Sequence, residues 1–361
     1  LVQKGYNVYA FSPLYTDPLR EQIRVAGATP VHFEISRSGM NPLSELGVVR
    51  SLSKLLTSHN IDTSLTYFIK PVIYGTIAAK IAGVKNINGM IAGLGYAFTN
   101  DMTGSTETKR LIIKKIIERL FKFTLRWNRK VFFQNPDDLQ HFVHHKLIDP
   151  AKTVVIEGSG VNLDEYEHSQ AVEQPAIFIT SGRLVKEKGF EEFIGAANIL
   201  KNKYRDSRFI ILGGTDENPN TLNSAHVQTF VDNGIIEWPG LVDDVADWLS
   251  RSSVFVLPSY YREGTPRSIL EALSTGRPVV TTNLPGCRET VIEGVNGFFV
   301  PPRDPEKLAE VMERFILNPE LIRSMGVESR RLAEEKFDVR KVNRKMMEEM
   351  GLLADESMIS A

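Results

Sequence analysis

Short runs of apolar and β-branched residues alternate with longer amphipathic segments along almost the whole chain. Alternation of this kind is typical of βαβ units, in which helices connect parallel strands. The pattern therefore predicts an α/β fold with mostly parallel sheets, and it includes helices at 42–58 and 106–126. The predicted strands, six in each half, are 7–12, 30–33, 63–69, 85–91, 130–134, 153–157, 176–181, 209–213, 235–238, 254–258, 278–282 and 297–300.

A polar segment without strand-forming residues separates the two halves. It runs from Gly158 to Pro175 and begins with Gly-Ser-Gly, a composition that favours a connection between domains. We predict one domain over residues 1–165, a second over 166–338 and a final helical segment over 339–361.

Composition places the chain among soluble globular proteins. It has 361 residues, of which 42% are hydrophobic and 24% are charged, enough for two average domains. Its one cysteine, Cys287, excludes an internal disulfide and is typical of the reducing cytoplasm. The sequence contains no uncharged apolar run of about 18 residues, so it predicts no transmembrane helix.

The net charge of −1 conceals two oppositely charged halves. Residues 1–165 hold 20 Lys and Arg against 14 Asp and Glu, a net charge of +6, whereas the remaining residues hold 23 against 30, a net charge of −7. A polyanionic partner is therefore expected to meet the first half of the chain.

Two basic side chains follow the first strand of the second half. The strand predicted at 176–181 continues into Gly182-Arg183-Leu184-Val185-Lys186-Glu187-Lys188-Gly189, just before a predicted helix. Ligands of open α/β sheets bind at the carboxyl ends of strands, and a helix N-terminus with nearby cations suits phosphate. Arg183 can grip phosphate oxygens in pairs, while Lys188 is a compact point charge. On their own, these residues fit a solvated loop equally well.

Two carboxylates follow another buried strand, 254–257. Pro266 predicts the start of a helix, which places Glu263 in the loop and Glu271 inside the helix. Gly264 allows a ligand to approach the backbone closely, and carboxylates accept hydrogen bonds from paired sugar hydroxyls. The alternative is a loop charge and a solvated helix residue. Glu271 lies in an apolar run, which favours a position facing the protein.

Further residues complete a pattern that extends over essentially the whole chain. In the second half it comprises Gly182-Arg183, Lys188-Gly189, Gly213-Gly214, Gly240 ahead of Asp243-Asp244-Val245, Pro258-Ser259 and Glu263 with Glu271-Ala272. This pattern resembles the donor-binding domain of retaining nucleotide-sugar glycosyltransferases of family four. The resemblance implies a GT-B fold, in which two Rossmann-like doubly wound domains face a cleft. It also implies that a first strand lies before Leu1 and that residues 339–361 cross back to the first domain.

A second set of residues points to a smaller group of enzymes within this family. It comprises Gly213 to Pro219 and, in the first half, Phe33 to Arg37, Asn41-Pro42 and Gly93-Leu94-Gly95. These stretches are similar to those of bacterial enzymes that add N-acetylgalactosamine or a related sugar to an undecaprenyl-diphosphate-linked saccharide.

The resemblance also assigns roles to the two motifs. It implies that Arg183 and Lys188 bind the diphosphate of a UDP-sugar and stabilise the departing UDP, and that Glu263 holds hydroxyls of the transferred sugar. These three are the implied catalytic residues, and Glu271 is implied to accept the ribose hydroxyls. No metal or other cofactor is expected. The implied donor-binding residues are Gly182, Gly214, Leu241, Val242, Gly264, Thr265, Pro266 and Glu271.

The segment 109–130 contains nine Lys or Arg residues and one acid, Glu118. Apolar residues at 112, 113, 116, 117, 120, 123 and 127 trace one helical face. A basic amphipathic helix of this kind indicates docking on an anionic membrane surface, the alternative being an ordinary helix whose apolar stripe enters the core. Nucleic acid is not expected, because no recognition fold accompanies the charge. The basic residues proposed to face the membrane or acceptor are Lys109, Arg110, Lys114, Lys115, Arg119, Lys122 and Arg126.

Three histidines, His141, His144 and His145, have a helical spacing that could hold a metal ion. No carboxylate or cysteine completes the set by sequence, so we expect only an exposed helix after Asn135-Pro136.

The resulting hypothesis is a retaining glycosyltransferase that moves a hexose or N-acetylhexosamine, with N-acetylgalactosamine the first choice, from a UDP-sugar to a lipid-linked saccharide. The implied acceptor carries undecaprenyl diphosphate, as in surface polysaccharide assembly. Such an enzyme would be cytoplasmic and peripheral at the inner face of the bacterial plasma membrane. Two alternatives are a GT-B enzyme with a soluble acceptor and a nucleotide-sugar-binding protein without turnover.

Overall fold

The computed structural model of the chain describes residues 1–35, 42–95, 98, 107–215 and 220–353. The chain packs as two compact units. Unit 1 comprises Leu1–Met90 with Phe123–Arg129, and unit 2 comprises Ile91–Lys122 with Lys130–Ala361. These are units of packing, and the domain boundaries after residues 165 and 338 stay predictions.

Unit 1 is built from short parallel strand pairs and helices. It opens with a helical turn that ends at Gly5, where φ is 83°. Strand β1 pairs in parallel with β2, and β3 pairs in parallel with β4. The elements are β1 (Tyr9–Ser12), α1 (Asp17–Val25), β2 (Thr29–His32), α2 (Pro42–Ser58), β3 (Thr63–Tyr67), α3 (Ile69–Ile81) and β4 (Asn86–Ile91), whose last residue belongs to unit 2.

A small apolar core holds unit 1 together. It forms where one side of α2 and α3 meets the ends of the strands, and Ala78 and Ala79 are fully buried there. The small alanine side chains allow the two helices to approach closely. The buried members of this core are Phe33, Val49, Leu52, Leu56, Ala78, Ala79, Val84 and Ile87.

Unit 2 contains a six-stranded parallel sheet. Its strands are β7 (Ile177–Ser181), β8 (Arg208–Leu212), β9 (Glu237–Gly240), β10 (Val254–Leu257), β11 (Val279–Thr282) and β12 (Gly297–Val300). The spatial order is β12-β11-β10-β7-β8-β9, so β8 and β9 lie on one side of β7, and the chain then returns to add β10, β11 and β12 on the other side. Strands β5 (Lys130–Phe133) and β6 (Thr153–Val155) also pair in parallel, outside this sheet.

The helices between and after these strands complete unit 2. They are α4 (Glu107–Thr124), whose last two residues belong to unit 1, α5 (Pro136–His144), α6 (Phe190–Lys203), α7 (Ser224–Asp232), α8 (Val245–Ser250), α9 (Arg267–Thr275), α10 (Pro305–Leu317), α11 (Glu320–Leu332) and α12 (Val339–Glu349). The last of these, α12, contacts residues that precede position 165. Its Val339 N–H donates to the Val161 carbonyl at 3.0 Å, and Glu349 pairs with Lys130 at 2.8 Å.

Both faces of the six-stranded sheet are buried, because side chains alternate between two apolar cores. Phe178 lies in one core, whereas its neighbours Ile177 and Ile179 lie in the other. Helices α6 and α10 cover the first face, and α9 covers the second. Strands buried on both faces are continuous apolar runs, which is why the sequence pattern identifies them.

The structure confirms the α/β class and all twelve predicted strands, each within a few residues of its predicted bounds. The helices predicted at 42–58 and 106–126 correspond to α2 and α4. Among the described residues, no helix combines the length and hydropathy needed to cross a bilayer.

We expect Arg277→Ala to destabilise the fold by about 3–5 kcal/mol, because the Arg277 guanidinium is fully buried. It donates to the carbonyls of Ser252 at 2.7 Å, Thr275 at 2.9 Å and Ser169, and these would lose their donor. Burial lowers the pKa of Arg277 to about 10.

Urea unfolding of the full chain measures this loss of stability. The matched control is Arg323→Ala, which breaks an exposed ion pair with Glu173 and should cost less than about 1 kcal/mol. Equal losses in the two variants would show that the buried guanidinium is not a stabilising element.

Candidate functional site

The candidate site lies where the strand order of the six-stranded sheet reverses. Strands β7 and β10 are neighbours, but β7 also pairs with β8, so the connections leave these two strands in opposite directions. Such a switch point is where open α/β sheets bind ligands, outside the carboxyl ends of the strands. The loop 182–189 follows β7, and the loop 258–266 follows β10. Both predicted motifs therefore meet at one place.

Two of the three predicted catalytic residues form an ion pair there. Nζ of Lys188 lies 3.1 Å from Oε1 of Glu263, and each side chain is only 13% exposed. Oγ of Ser259 lies 3.3 Å from Oε1 of Glu263. An ammonium group has three N–H donors and a carboxylate has about four acceptor positions, so both partners retain capacity for a ligand.

Backbone hydrogen bonds hold the two loops at this spacing. The Glu187 carbonyl accepts from the N–H groups of Tyr260 at 2.8 Å and Tyr261 at 2.9 Å, and from the Ser259 hydroxyl at 3.2 Å. Asn220 donates its side-chain amide to the Glu187 carboxylate. The loop that carries Lys188 is thus fastened to the loop that carries Glu263.

Glycines directly after β7 and β8 allow close contacts at the start of the Lys188 loop. A Cβ on Gly182, where φ is +152°, would lie 3.3 Å from Cδ of Lys188. A Cβ on Gly213 would lie 1.9 Å from the Gly182 carbonyl oxygen, which no side chain tolerates. Arg183 is exposed, directly after Gly182, and its role in binding phosphate stays a prediction.

The predicted residues Gly214 and Leu241 are also neighbours. A Cβ on Gly214 would lie 3.0 Å from Cγ of Leu241, a side chain that is 84% exposed. The next residue, Val242, packs in part against the apolar core beneath α9. An exposed leucine beside bare backbone offers an apolar surface to a ligand. The adjoining predicted stretch 216–219 lies outside the described residues.

Glu271 faces the protein from α9, as its apolar surroundings predict, and is buried. Arg267 donates Nε to Oε1 of Glu271 at 2.8 Å, and the Tyr166 side chain is hydrogen-bonded to the same carboxylate. Burial raises the pKa of Glu271, and the Arg267 charge opposes that shift. A ribose bound here would hydrogen-bond to a carboxylate that Arg267 and Tyr166 already contact. This role of Glu271 stays a prediction.

Three glycines converge on the loop that carries Glu263. A Cβ on Gly93, where φ is +86°, would lie 2.2 Å from the Gly264 nitrogen, and a Cβ on Gly286 would lie 1.6 Å from the Gly264 oxygen. Gly264 itself has no room for a side chain, because its Cβ would lie 2.9 Å from the main-chain carbonyl carbon of Ala92. The loop is therefore closely packed, main chain against main chain.

Polar residues after β5 hold the same loop. Gln134 accepts from the Thr265 N–H at 3.2 Å and, through its carbonyl, from the Thr265 hydroxyl at 2.8 Å. Asn135 donates to the Glu263 carbonyl at 3.3 Å, and the fully buried Asp138 pairs with Arg262 at 2.9 Å.

The sequence motifs did not identify these supporting residues. A usable signal was nevertheless present, since Gln134 and Asn135 directly follow a predicted strand, as the other site residues do.

Cys287 is fully buried close to this loop. Burial raises the pKa of its thiol to about 12, and the nearby charge of Glu263 adds to the shift. The thiol is therefore protonated at neutral pH and inert.

Helix α4 exposes a mixed basic and apolar surface. The predicted apolar face is only partly buried in the structure. Ile117 is buried, whereas Ile112, Ile116 and Phe123 are exposed. Phe121, also buried, packs against Phe142 of α5 with ring centroids 5.0 Å apart. We call the exposed surface of α4 within unit 2 the α4 strip, and its residues are Leu111, Ile112, Lys115, Ile116, Arg119 and Lys122. Arg126 of the predicted set is also exposed but follows the end of α4.

Three other residues of the predicted basic set do not belong to the α4 strip. Lys114 is half-buried, with Nζ 5.4 Å from the Phe98 ring centroid. Lys109 and Arg110 lie in α4, but their side chains lie outside the described residues.

Helix α4 also contacts α5 through polar groups. Glu118 lies 3.2 Å from Nε2 of His141. Burial lowers the pKa of His141 to about 4, so the imidazole is neutral at neutral pH.

We expect Gly93→Ala to cost about 2–4 kcal/mol, because a methyl group there meets the Gly264 nitrogen and also forces a left-handed alanine. Gly83→Ala is the matched control. Gly83 has a similar φ of +78° but nothing within 4 Å of the added Cβ, so it should cost only about 1 kcal/mol.

Urea unfolding measures both costs, and amide hydrogen exchange at residues 262–265 reports whether the loop loosens. Equal unfolding costs, with unchanged exchange in Gly93→Ala, would argue against the close packing of main chains at Gly264.

Comparison with known proteins agrees with this arrangement. Residues 175–318 match the family Glycosyl transferases group 1. The chain is 27% identical, over 81% of its length and 78% of the relative's, to N,N'-diacetylbacillosaminyl-diphospho-undecaprenol alpha-1,3-N-acetylgalactosaminyltransferase of Campylobacter jejuni. It is 28% identical, over 73% of its length and 68% of the relative's, to UDP-Gal:alpha-D-GlcNAc-diphosphoundecaprenol alpha-1,3-galactosyltransferase of Escherichia coli.

A solved structure shows the same fold. HepE of Anabaena, in complex with UDP and glucose, superposes with a TM-score of 0.75 at 19% identity, over 98% of this chain and 94% of HepE. The chain thus has the fold of the GT-B glycosyltransferases, and its residues 175–318 are similar to the family Glycosyl transferases group 1.

Proposed function

We propose that the chain transfers a hexose or N-acetylhexosamine, with N-acetylgalactosamine the first choice, from a UDP-sugar to an undecaprenyl-diphosphate-linked saccharide, with retention of the anomeric configuration. The observation that carries the proposal is the Lys188–Glu263 pair at the sheet's switch point. A cation that suits a diphosphate lies there beside a carboxylate that suits sugar hydroxyls, which supports the proposal. The undecaprenol-linked acceptors in the names of the two relatives support the class of acceptor.

The positive charge of the Lys188 ammonium stabilises the negative charge that develops on UDP during transfer. As the bond between the anomeric carbon and the UDP oxygen breaks, negative charge grows on the β-phosphate, and a fixed cation lowers the barrier. The ammonium can bond Glu263 and a phosphate oxygen together because it has three donors. Arg183 adds a second cation, which can bind two phosphate oxygens at once. In this proposal these two side chains neutralise the leaving group, and no metal or cofactor takes part.

Glu263 positions the transferred sugar. Its carboxylate is held by Lys188, which leaves acceptor positions for two sugar hydroxyls. The Thr265 N–H is committed to Gln134, so the contribution of Gly264, Thr265 and Pro266 is chiefly to shape the wall of the site.

Retention requires the acceptor to attack from the side on which UDP departs. The acceptor hydroxyl forms the new bond to the anomeric carbon, and its proton passes to the β-phosphate oxygen as the bond to UDP breaks. The sugar keeps its configuration, and no carboxylate nucleophile is needed.

The α4 strip supports a peripheral position on an anionic membrane, at its cytoplasmic face. It combines three exposed leucine and isoleucine side chains with three exposed basic residues. Apolar side chains enter the interface between headgroups and acyl chains, and each basic residue near an anionic surface adds about 1 kcal/mol. A lipid-linked acceptor would lie in the same surface.

Replacement of Lys188 should separate turnover from folding. We expect Lys188→Ala to lower kcat at least about 100-fold, because it removes a fixed charge at the leaving group. Lys186→Ala is the matched control. Lys186 lies in the same turn, but it is exposed, and its ion pair with Glu191 is long, at 3.9 Å. Transfer of radiolabelled sugar from UDP-GalNAc, UDP-GlcNAc and UDP-galactose to undecaprenyl-diphosphate saccharides measures the effect.

Three results would decide against the proposal. Transfer only to soluble saccharides would favour an enzyme with a different acceptor, and donor binding without transfer would favour a binding protein. Inversion at the anomeric carbon of the product, seen by NMR, would exclude retention.

Neutralising the α4 strip should release the chain from membranes. We expect the triple change of Lys115, Arg119 and Lys122 to Gln to weaken binding to phosphatidylglycerol vesicles about 100-fold, in proportion to the three charges removed. The control changes Lys203, Lys307 and Arg323 to Gln, which removes three exposed charges elsewhere. Vesicle flotation compares the two, and equal retention of both triple variants on the vesicles would refute docking through α4.

A further inference from the structure

A compact cluster of possible metal ligands lies away from the Lys188–Glu263 pair, between α4 and α5. It consists of Glu118 on α4, His141 on α5 and His145 directly after α5. One ligand atom from each residue lies within 4.8 Å of the other two. The sequence predicted no carboxylate near these histidines, and that expectation is wrong, because Glu118 precedes His141 by 23 residues.

We propose that Glu118, His141 and His145 bind a divalent transition-metal ion, and that Zn²⁺ is the ion that fits best. Two imidazoles and one carboxylate, with the fourth position left to water, make a common zinc ligand set. Mg²⁺ and Ca²⁺ favour oxygen ligands alone. The ion takes no chemical part in the proposed transfer reaction.

The spacing of the ligand atoms suits a metal ion. Nε2 of His141 lies 3.2 Å from Oε1 of Glu118. Two ligands at about 2.0–2.1 Å from a tetrahedral zinc ion are about 3.3 Å apart, so an ion can enter with little movement. The same spacing also fits a hydrogen bond, and the experiment below separates the two.

The local backbone orients the His145 ring. Nδ1 of His145 lies 2.8 Å from the carbonyl oxygen of His141, and a carbonyl only accepts, so Nδ1 carries the proton. The lone pair of the neutral ring is then on Nε2. A backbone carbonyl on the far nitrogen is a usual second partner of a metal-binding histidine. The i, i+4 spacing keeps both rings together, with centroids 4.2 Å apart.

Nearby charges set a moderate affinity. Glu118 supplies one negative charge, while Lys114 and Arg262 act on His141 as positive charges. These cations oppose a bound metal ion, so we expect weaker binding than at a closed four-ligand site.

The metal would join α4 to the loop of the candidate site through α5. Asp138, one turn before His141, pairs with Arg262, the residue next to Glu263. An ion held by Glu118 and the two histidines would fix α5 against α4, and therefore steady the anchor of this loop.

Titration of the full chain, purified without a histidine tag and treated with chelator, tests the site. Isothermal titration with ZnCl2 should show one equivalent bound, and MgCl2 at the same concentration should show none. Titration with CoCl2 should give visible absorption bands of a low-symmetry cobalt site with nitrogen ligands. Zinc should also raise the melting temperature.

Matched variants locate the ligands. His145→Ala and Glu118→Gln should each weaken zinc binding at least tenfold and abolish the rise in melting temperature. Glu118→Gln keeps a hydrogen-bonding group for His141, so the contact between the helices is retained. The control is His144→Ala, which removes an exposed histidine from the same helix and should bind zinc as the unchanged chain does.

The proposal fails if the unchanged chain binds no zinc saturably, or if both ligand variants bind it as tightly as the unchanged chain. It also fails if His144→Ala loses as much affinity as His145→Ala, since surface histidines would then bind zinc without a defined site. Circular dichroism confirms that each variant is folded.

Discussion

The loop after β10 depends on the absence of three side chains. Gly93, Gly264 and Gly286 bring main chain against main chain at distances that no Cβ permits. This close packing lets Gln134 reach Thr265 and places Glu263 next to Lys188. A binding loop fixed by its backbone holds its side chains in position before a ligand arrives, which reduces the cost of ordering them on binding.

Pairing of Lys188 with Glu263 lowers the free-energy cost of holding two charges in the candidate site. A lone charge in a largely enclosed position is costly, whereas a paired charge with further hydrogen bonds is tolerated. The carboxylate partner keeps the ammonium in place without saturating it. A diphosphate and a sugar can therefore add to the pair, and neither charge has to be desolvated anew when the donor binds.

Much of the fold follows from the sequence because the parallel strands of unit 2 are buried on both faces and form continuous apolar runs. Lys188 and Glu263 follow from position alone, each after such a strand. Gln134 also follows a predicted strand, but its contact with Thr265 could not be predicted, because the two residues are 131 positions apart in sequence. Periodicity identified α4 as amphipathic, but apolar residues occur on most of its sides, so only packing shows that Ile117 is buried and Ile112 exposed. Likewise, helical spacing alone could not bring Glu118 to the histidines.

Cys287 gives the chain a useful experimental property. It is the only cysteine, it is fully buried, and its thiol stays protonated at neutral pH. Maleimide reagents, which attack exposed thiolates, will leave it unmodified in the folded chain. A single cysteine introduced at Lys115 of α4 would then carry all of the label. An environment-sensitive fluorophore at that position would report contact with lipid in real time, with no other residue to replace.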